Sequence, residues 1–220
     1  MSGYFQKELG RIKQMLLALG SLVEDRVQKI NNAIESQDGD AAREIIEKDY
    51  EIDQMEIDVE EECLKALALY QPVAVDLRFL VAVIKINNDL ERIGDEAVNI
   101  AERVEFLSKQ VQIPFPFDYT EMVDKAQEML KKSLDALVNM DLELAYGVLT
   151  MDDEVDQDNR DAYDAIKDAM KKLPEGLGMG SLINMLFIAR HLERIADHAT
   201  NIAEEVIYMI EGDIVRHSNL

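Results

Sequence analysis

Apolar residues recur along this chain at steps of three and four, the spacing that places them on one face of a helix. Between positions 40 and 70 the stripe runs through Ile45, Ile52, Met55, Val59, Cys63, Ala66 and Tyr70. Nothing sustained alternates with period two, so no strand is expected. The pattern breaks at Pro72, at Pro114 and Pro116, at Pro174, and at the Asp-led turns SQDGD (36–40) and NMD (139–141). Proline lacks the backbone donor a helix interior needs, whereas an Asp ahead of a new apolar run is a helix-start signal. These joints delimit six helices, about 4–36, 40–70, 73–109, 118–139, 142–172 and 178–211.

The helices repeat. DLERIGDEAVNIAE at 89–102 matches HLERIADHATNIAE at 191–204 at ten of fourteen positions. KDYEIDQ at 48–54 returns as MDDEVDQ at 151–157, and the joint at Asp38 has its counterpart at Asp141. The offset is 103 for these early elements and 102 for the LERI phrases, so the second copy is one residue shorter between them. Two copies at this spacing are a duplicated unit, not a solenoid, whose repeats run ~20–50 residues. The expected fold is all-α: two tandem, pseudo-symmetric, antiparallel three-helix bundles, 1–112 and 118–220, joined by a linker at 113–117.

Each copy carries two carboxylate pairs spaced four apart, hence one turn apart on one helix face. They are Asp49 with Asp53 and Glu91 with Asp95, then Asp152 with Asp156 and Glu193 with Asp197. Folding the helices back at their prolines brings the pairs level. Asp53 and Glu91 are equidistant from position 72, as are Asp49 and Asp95; Asp156 with Glu193, and Asp152 with Asp197, are equidistant from a point half a residue past Pro174. A solvated like-charge pair costs only ~0.2–0.5 kcal/mol, so any one of them is compatible with an acidic, wet face. Four levelled pairs preserved through a duplication point instead to two cation sites. Oxygen-only ligands suit hard cations, Fe, Mn, Mg or Ca, and four acids can bridge more than one ion. Glu91 and Asp95 project away from the stripe Ile86, Leu90, Ile93, Ala97, Ile100 and Val104, so the acids should line an outer groove. That differs from ferritin-type di-iron bundles, whose metals sit in the core on Glu-x-x-His motifs absent here. His191 and His198 replace Asp89 and Glu96 of the first copy; His198 is expected to support the site or face solvent, and neither His191 nor His217 is given a role.

Composition narrows the function. With 48% hydrophobic and 31% charged residues the chain reads as globular, and its longest apolar run, Phe79 to Ile84, is far short of the ~20 residues of a membrane-crossing helix. No membrane insertion is expected, the first twenty residues do not read as a secretory signal, and the lone Cys63 fits a reducing compartment. A formal charge of −22 repels phosphate backbones and anionic lipid, which argues against nucleic acid as a partner. No phosphate-cradling glycine loop and no nucleophile elbow appear.

The tandem acidic phrases, together with YQPVAVDLRFLVA at 70–82 and the ending NIAEEVIYMIEGDIVRH, resemble the PhoU family of phosphate-uptake regulators over essentially the whole chain. The family's acidic motif, Glu or Asp followed four residues later by Asp, is met at all four pairs; Ala196 for Gly94 and the two His substitutions fall between the acids. The resemblance implies a cytoplasmic, non-enzymatic, homodimeric negative regulator with multinuclear metal clusters, one on each bundle. It implies restraint of phosphate uptake and of the starvation response by coupling a phosphate ABC transporter, through its ATPase subunit, to a sensor histidine kinase. The alternative reading of the acids is a carboxylate-cluster metalloenzyme or a metal-storage protein.

Overall fold

The computed structural model describes residues 3–111, 113–172 and 178–213. The expected joint at Pro174, His217 and the family-like ending past 213 lie outside the described residues. Seven helices are present among them: α1 (Gly3–Ser36), α2 (Gly39–Glu47), α3 (Tyr50–Tyr70), α4 (Ala74–Ser108), α5 (Thr120–Asn139), α6 (Leu142–Lys172) and α7 (Met179–Glu211). No strand occurs among the described residues. The Asp-led joints are built as anticipated. Asp38 accepts hydrogen bonds from the Asp40 and Ala41 amides at 2.9 and 3.1 Å, and Asp141 accepts one from Leu144 at 3.1 Å. Gln37 and Met140, one residue ahead of each, both take the left-handed conformation that ends a helix.

The expected helix over 40–70 bends at Lys48–Asp49, so α2 and α3 together fill one helical position and the three-helix layout is kept. Arg26 is responsible. It occupies an apolar position of α1, is 2% exposed, and donates from Nη1 to the Ile45 carbonyl at 2.8 Å and from Nη2 to the Lys48 carbonyl at 3.1 Å. Nη2 also reaches Glu51 at 3.3 Å. Carbonyls that an unbroken helix would bond internally are thus turned toward a buried cation, and the chain tightens into three-residue turns there, with the Lys48 amide on the Ile45 carbonyl. The residue 103 positions on is Met129, buried and without a donor, and α6 runs through unbroken.

Behind the bends lies one continuous apolar core, to which Ile12, Leu16, Leu19, Leu90, Ile93, Leu192 and Ile195 all belong. The bundles join mainly through α4 against α7, with α1 against α5 beside them, where Gly20 lets Leu134 come close. α4 and α7 run antiparallel. Along their seam Arg103 meets Asn184, Glu96 meets His191, Asp89 meets His198 and Lys85 meets Glu205. The linker is tied down as well: Phe115 and Phe117 set their edges against Tyr119, whose buried hydroxyl donates to the Met185 carbonyl at 2.6 Å.

One contact distinguishes the copies within each acidic helix pair. A Cβ on Gly94 would stand 2.9 Å from Ile52 Cδ1 and 3.2 Å from its Cγ2. The second copy has Ala196 for that glycine and Val155 for that isoleucine, both 1% exposed; one methyl group has moved from one helix to its neighbour. Gly94→Ala alone should therefore destabilise the chain by about 1 kcal/mol in urea unfolding. Adding Ile52→Val should return most of that loss, and a double variant no more stable than Gly94→Ala would contradict the exchange.

Candidate metal centres

The acidic motifs sit where α3 meets α4 and where α6 meets α7. In both places the apolar stripes behind them bring the helices together antiparallel. All four level partners face each other closely enough for one charge to act on the other: Asp49 with Asp95, Glu91 with Asp53, Asp152 with Asp197, and Glu193 with Asp156.

Convergence is closest in the second copy, where Asp156, Glu193 and Asp197 each place a carboxylate oxygen within 4.8 Å of the others. Glu193 is 8% exposed and is held by Arg190, whose Nη1 lies 2.5 and 2.6 Å from its two oxygens. Arg160 reaches Asp156 at 3.5 Å. Asp152 stands one turn along α6 and accepts a hydrogen bond from Thr200 at 3.2 Å. In the first copy Asp49, Asp53, Glu91 and Asp95 do not draw three oxygens together in this way. There Arg92 lies between two of them, 3.1 Å from Asp95 and 3.4 Å from Glu91. Glu91 Oε2 is shut away from solvent and accepts no hydrogen bond.

The electrostatics follow from crowding. Burial, then the neighbouring Asp53 and Asp95, lift the Asp49 carboxyl above its ordinary range, and burial with Asp95 lifts Glu91. In the second copy burial comes first again, joined by Asp197 for Asp152 and Glu193, and by Asp156 for Asp197. Oxygen-only donors at both sites, with three carboxylates converging at the second, fit hard cations.

The grooves are not simply outward-facing. Asp152 and Asp197 also line a cleft of about 950 Å³ between the bundles, together with Asp89, His198, Arg194 and Glu56. Along the α4–α7 seam, with His198 at the cleft, the two histidines acquire partners. His198 Nδ1 lies 2.9 Å from Asp89, which Asn201 also reaches at 3.1 Å; His191 Nδ1 lies 2.6 Å from Glu96, and Arg194 lies 3.0 Å from its other oxygen. Burial raises the Glu96 carboxyl, but the His191 hydrogen bond and the Arg194 charge outweigh burial and hold it below the usual range. Each histidine faces the acid that occupies the other histidine's place in the first copy. An unaltered duplication would have set Asp against Glu twice. The sequence signal was those two substitutions, but their meaning appears only when α4 lies along α7.

The molecule is thus a duplicated helical-bundle protein with a carboxylate groove on each repeat. Family comparison gives that class a name: the PhoU domain model matches twice, over residues 16–104 and 119–206. The chain belongs to the PhoU family. It is 38% identical to the phosphate-specific transport system accessory protein PhoU homolog of Pseudomonas aeruginosa, over 100% of this chain and 90% of that protein. The PhoU protein of Escherichia coli is 33% identical, over 99% of this chain and 89% of its own length. The crystal structure of PhoU from P. aeruginosa superposes with a TM-score of 0.88, covering 95% of this chain and 100% of that one at 38% identity. That of the phosphate transport system regulatory protein PhoU from Streptococcus pneumoniae does so at 0.85, with 31% identity and coverage of 96% and 99%.

A pH dependence follows. Acids whose folded pKa is raised bind more protons folded than unfolded at pH values above their ordinary range, so stability rises as pH falls toward it. The metal-free protein should melt higher at pH 5.5 than at pH 7.5. A melting temperature no higher at pH 5.5 than at pH 7.5 would show that the crowding is not felt.

Proposed function

We propose that this protein is a cytoplasmic accessory regulator of phosphate-specific transport, working as a metal-carrying adaptor and not as an enzyme. The observation that carries this reading is the pair of PhoU domains over a chain that aligns nearly end to end with transport-system accessory proteins. It acts as a homodimer, restrains phosphate uptake, represses the starvation response, and links the transporter's ATPase subunit to a sensor histidine kinase. None of the described helices is long and apolar enough to cross a membrane.

Asp49, Asp53, Glu91 and Asp95 would hold cations on the first bundle, and Asp152, Asp156, Glu193 and Asp197 on the second. A bound hard cation supplies the positive charge that offsets four crowded carboxylates. The protein's part is geometric: the apolar stripes fix the spacing of α3 from α4 and of α6 from α7, while Arg190 and Thr200 orient Glu193 and Asp152. Because the acids lie beside the core and not in it, their loss should leave the bundles standing.

Replacing Asp95 and Asp197 together by Asn should sharply lower the iron and manganese that co-purify, read by elemental analysis, while far-ultraviolet circular dichroism stays unchanged. Unchanged metal content would refute the ligand assignment. The gene should also restore repression of a starvation reporter in a strain deleted for its own PhoU gene. A reporter that remains on despite soluble protein would favour storage or catalysis over regulation.

A further inference from the structure

A cavity of about 350 Å³ lies where the end of α1 meets the linker and the start of α5, and it includes none of the acids assigned to cations. Phe115 and Phe117 line it, and its charged lining residues are Glu35 and Asp118; no Lys, Arg or His lines it among the described residues. Neither carboxylate is ion-paired among the described residues, although Asp118 accepts the Thr120 amide at 3.0 Å. Asn31, also in the lining, is 7% exposed, and its Oδ1 accepts no hydrogen bond. A buried amide oxygen without a donor is destabilising in the free protein. The second copy carries Leu134 and Val138 where the first has Asn31 and Glu35, so the three-helix layout requires neither polar group. Tyr119 braces both phenylalanine rings edge-on, with centroids 5.5 and 5.3 Å away, and is itself fixed by its bond to the Met185 carbonyl. The aromatic lining is therefore set before anything binds.

Each of these features narrows the ligand. Two carboxylates without a counter-charge, in a chain of charge −22, attract a cation. Aromatic rings favour a delocalised cation that can lie over a ring face, and an amide oxygen requires an N–H donor. A guanidinium meets all three with its planar face and five donors, whereas an ammonium is a compact, strongly hydrated charge. The Asn31 amide turns about a soft terminal torsion, and a rotation there brings Oδ1 round to the cavity. We propose that this pocket takes an arginine side chain presented by a protein partner. The aliphatic stem lies against the rings while the guanidinium meets Glu35, Asp118 and Asn31. Free arginine fits less well, because its own carboxylate would face the two acids. The existence of a partner to dock rests on the accessory-regulator reading above; the preference for a guanidinium does not.

The test is a nuclear magnetic resonance titration of the full-length protein with the blocked peptide acetyl-Gly-Arg-Gly-amide, followed at the Asn31 side-chain amide and the Thr120 backbone amide. Both signals should shift and saturate with a Kd of about 1 mM. The same peptide with citrulline, which keeps the shape and loses the charge, should bind about tenfold more weakly, and free arginine should bind more weakly than the arginine peptide. Glu35→Gln combined with Asp118→Asn, which keeps an oxygen for the Thr120 amide, should weaken the arginine peptide about fivefold or more. Asn31→Leu, which installs the second copy's residue, should weaken it about threefold without lowering the melting temperature. In the starvation-reporter strain the double variant, present as soluble protein, should leave the reporter on. An arginine peptide that shifts neither signal, or a citrulline peptide that binds as well, overturns the guanidinium site. Free arginine that binds as tightly as the peptide, or a double variant that loses the peptide yet represses fully, overturns the protein partner. If the parent protein itself fails to repress, the accessory-regulator reading falls with the partner, while the titration still decides the pocket.

Discussion

Carboxylates can be crowded only where something stronger holds their helices together. Here that is the apolar seam behind each acidic groove, built from Ile52, Val59, Leu90 and Ile93 on one side of the molecule and from Val155, Leu192 and Ile195 on the other, all buried. Burying one such side chain contributes about 1.5–3 kcal/mol, whereas a solvated like-charge pair costs a few tenths. The difference lets the grooves keep their acids close, with raised carboxyl pKa values at several of them. Everything distinctive about the surface depends on that surplus behind it.

Duplication sets a second constraint. A unit that packs against its own copy through a two-fold face makes each cross-contact twice, so an acid that meets an acid does so at two places, and an acidic face cannot oppose itself cheaply. Histidine at 191 and 198 resolves this by turning two acid–acid encounters into acid–imidazole hydrogen bonds. The same exchange deprives Arg92 of a distant acceptor while leaving Arg194 with one. One pair of substitutions thus both closes the seam and makes the halves chemically different.

Most of the fold was legible because helix period, proline and Asp-led caps are local signals, and all three recur in both copies. The levelling of the acids was legible for the same reason: antiparallel helices joined at a known residue have a computable register. The bend at Lys48–Asp49 was not, since its cause is a guanidinium on another helix; an arginine on the apolar stripe of α1 was the only hint. Nor were the partners of the histidines, because nothing local specifies how one bundle lies on the other. The groove's opening into a cleft between bundles escaped for that reason too.

The position of α7 has a consequence for how the molecule is made. This helix packs on α5 and α6 of its own bundle and also forms the seam with α4 of the other. During synthesis it is the last of the described helices to leave the ribosome, so until then α4 has its bundle-facing side, with Glu96 and Asp89, exposed to solvent and chaperones. A nascent chain halted before residue 179 would carry an almost finished first half with its assembly face uncovered, a species prone to pair with another like it.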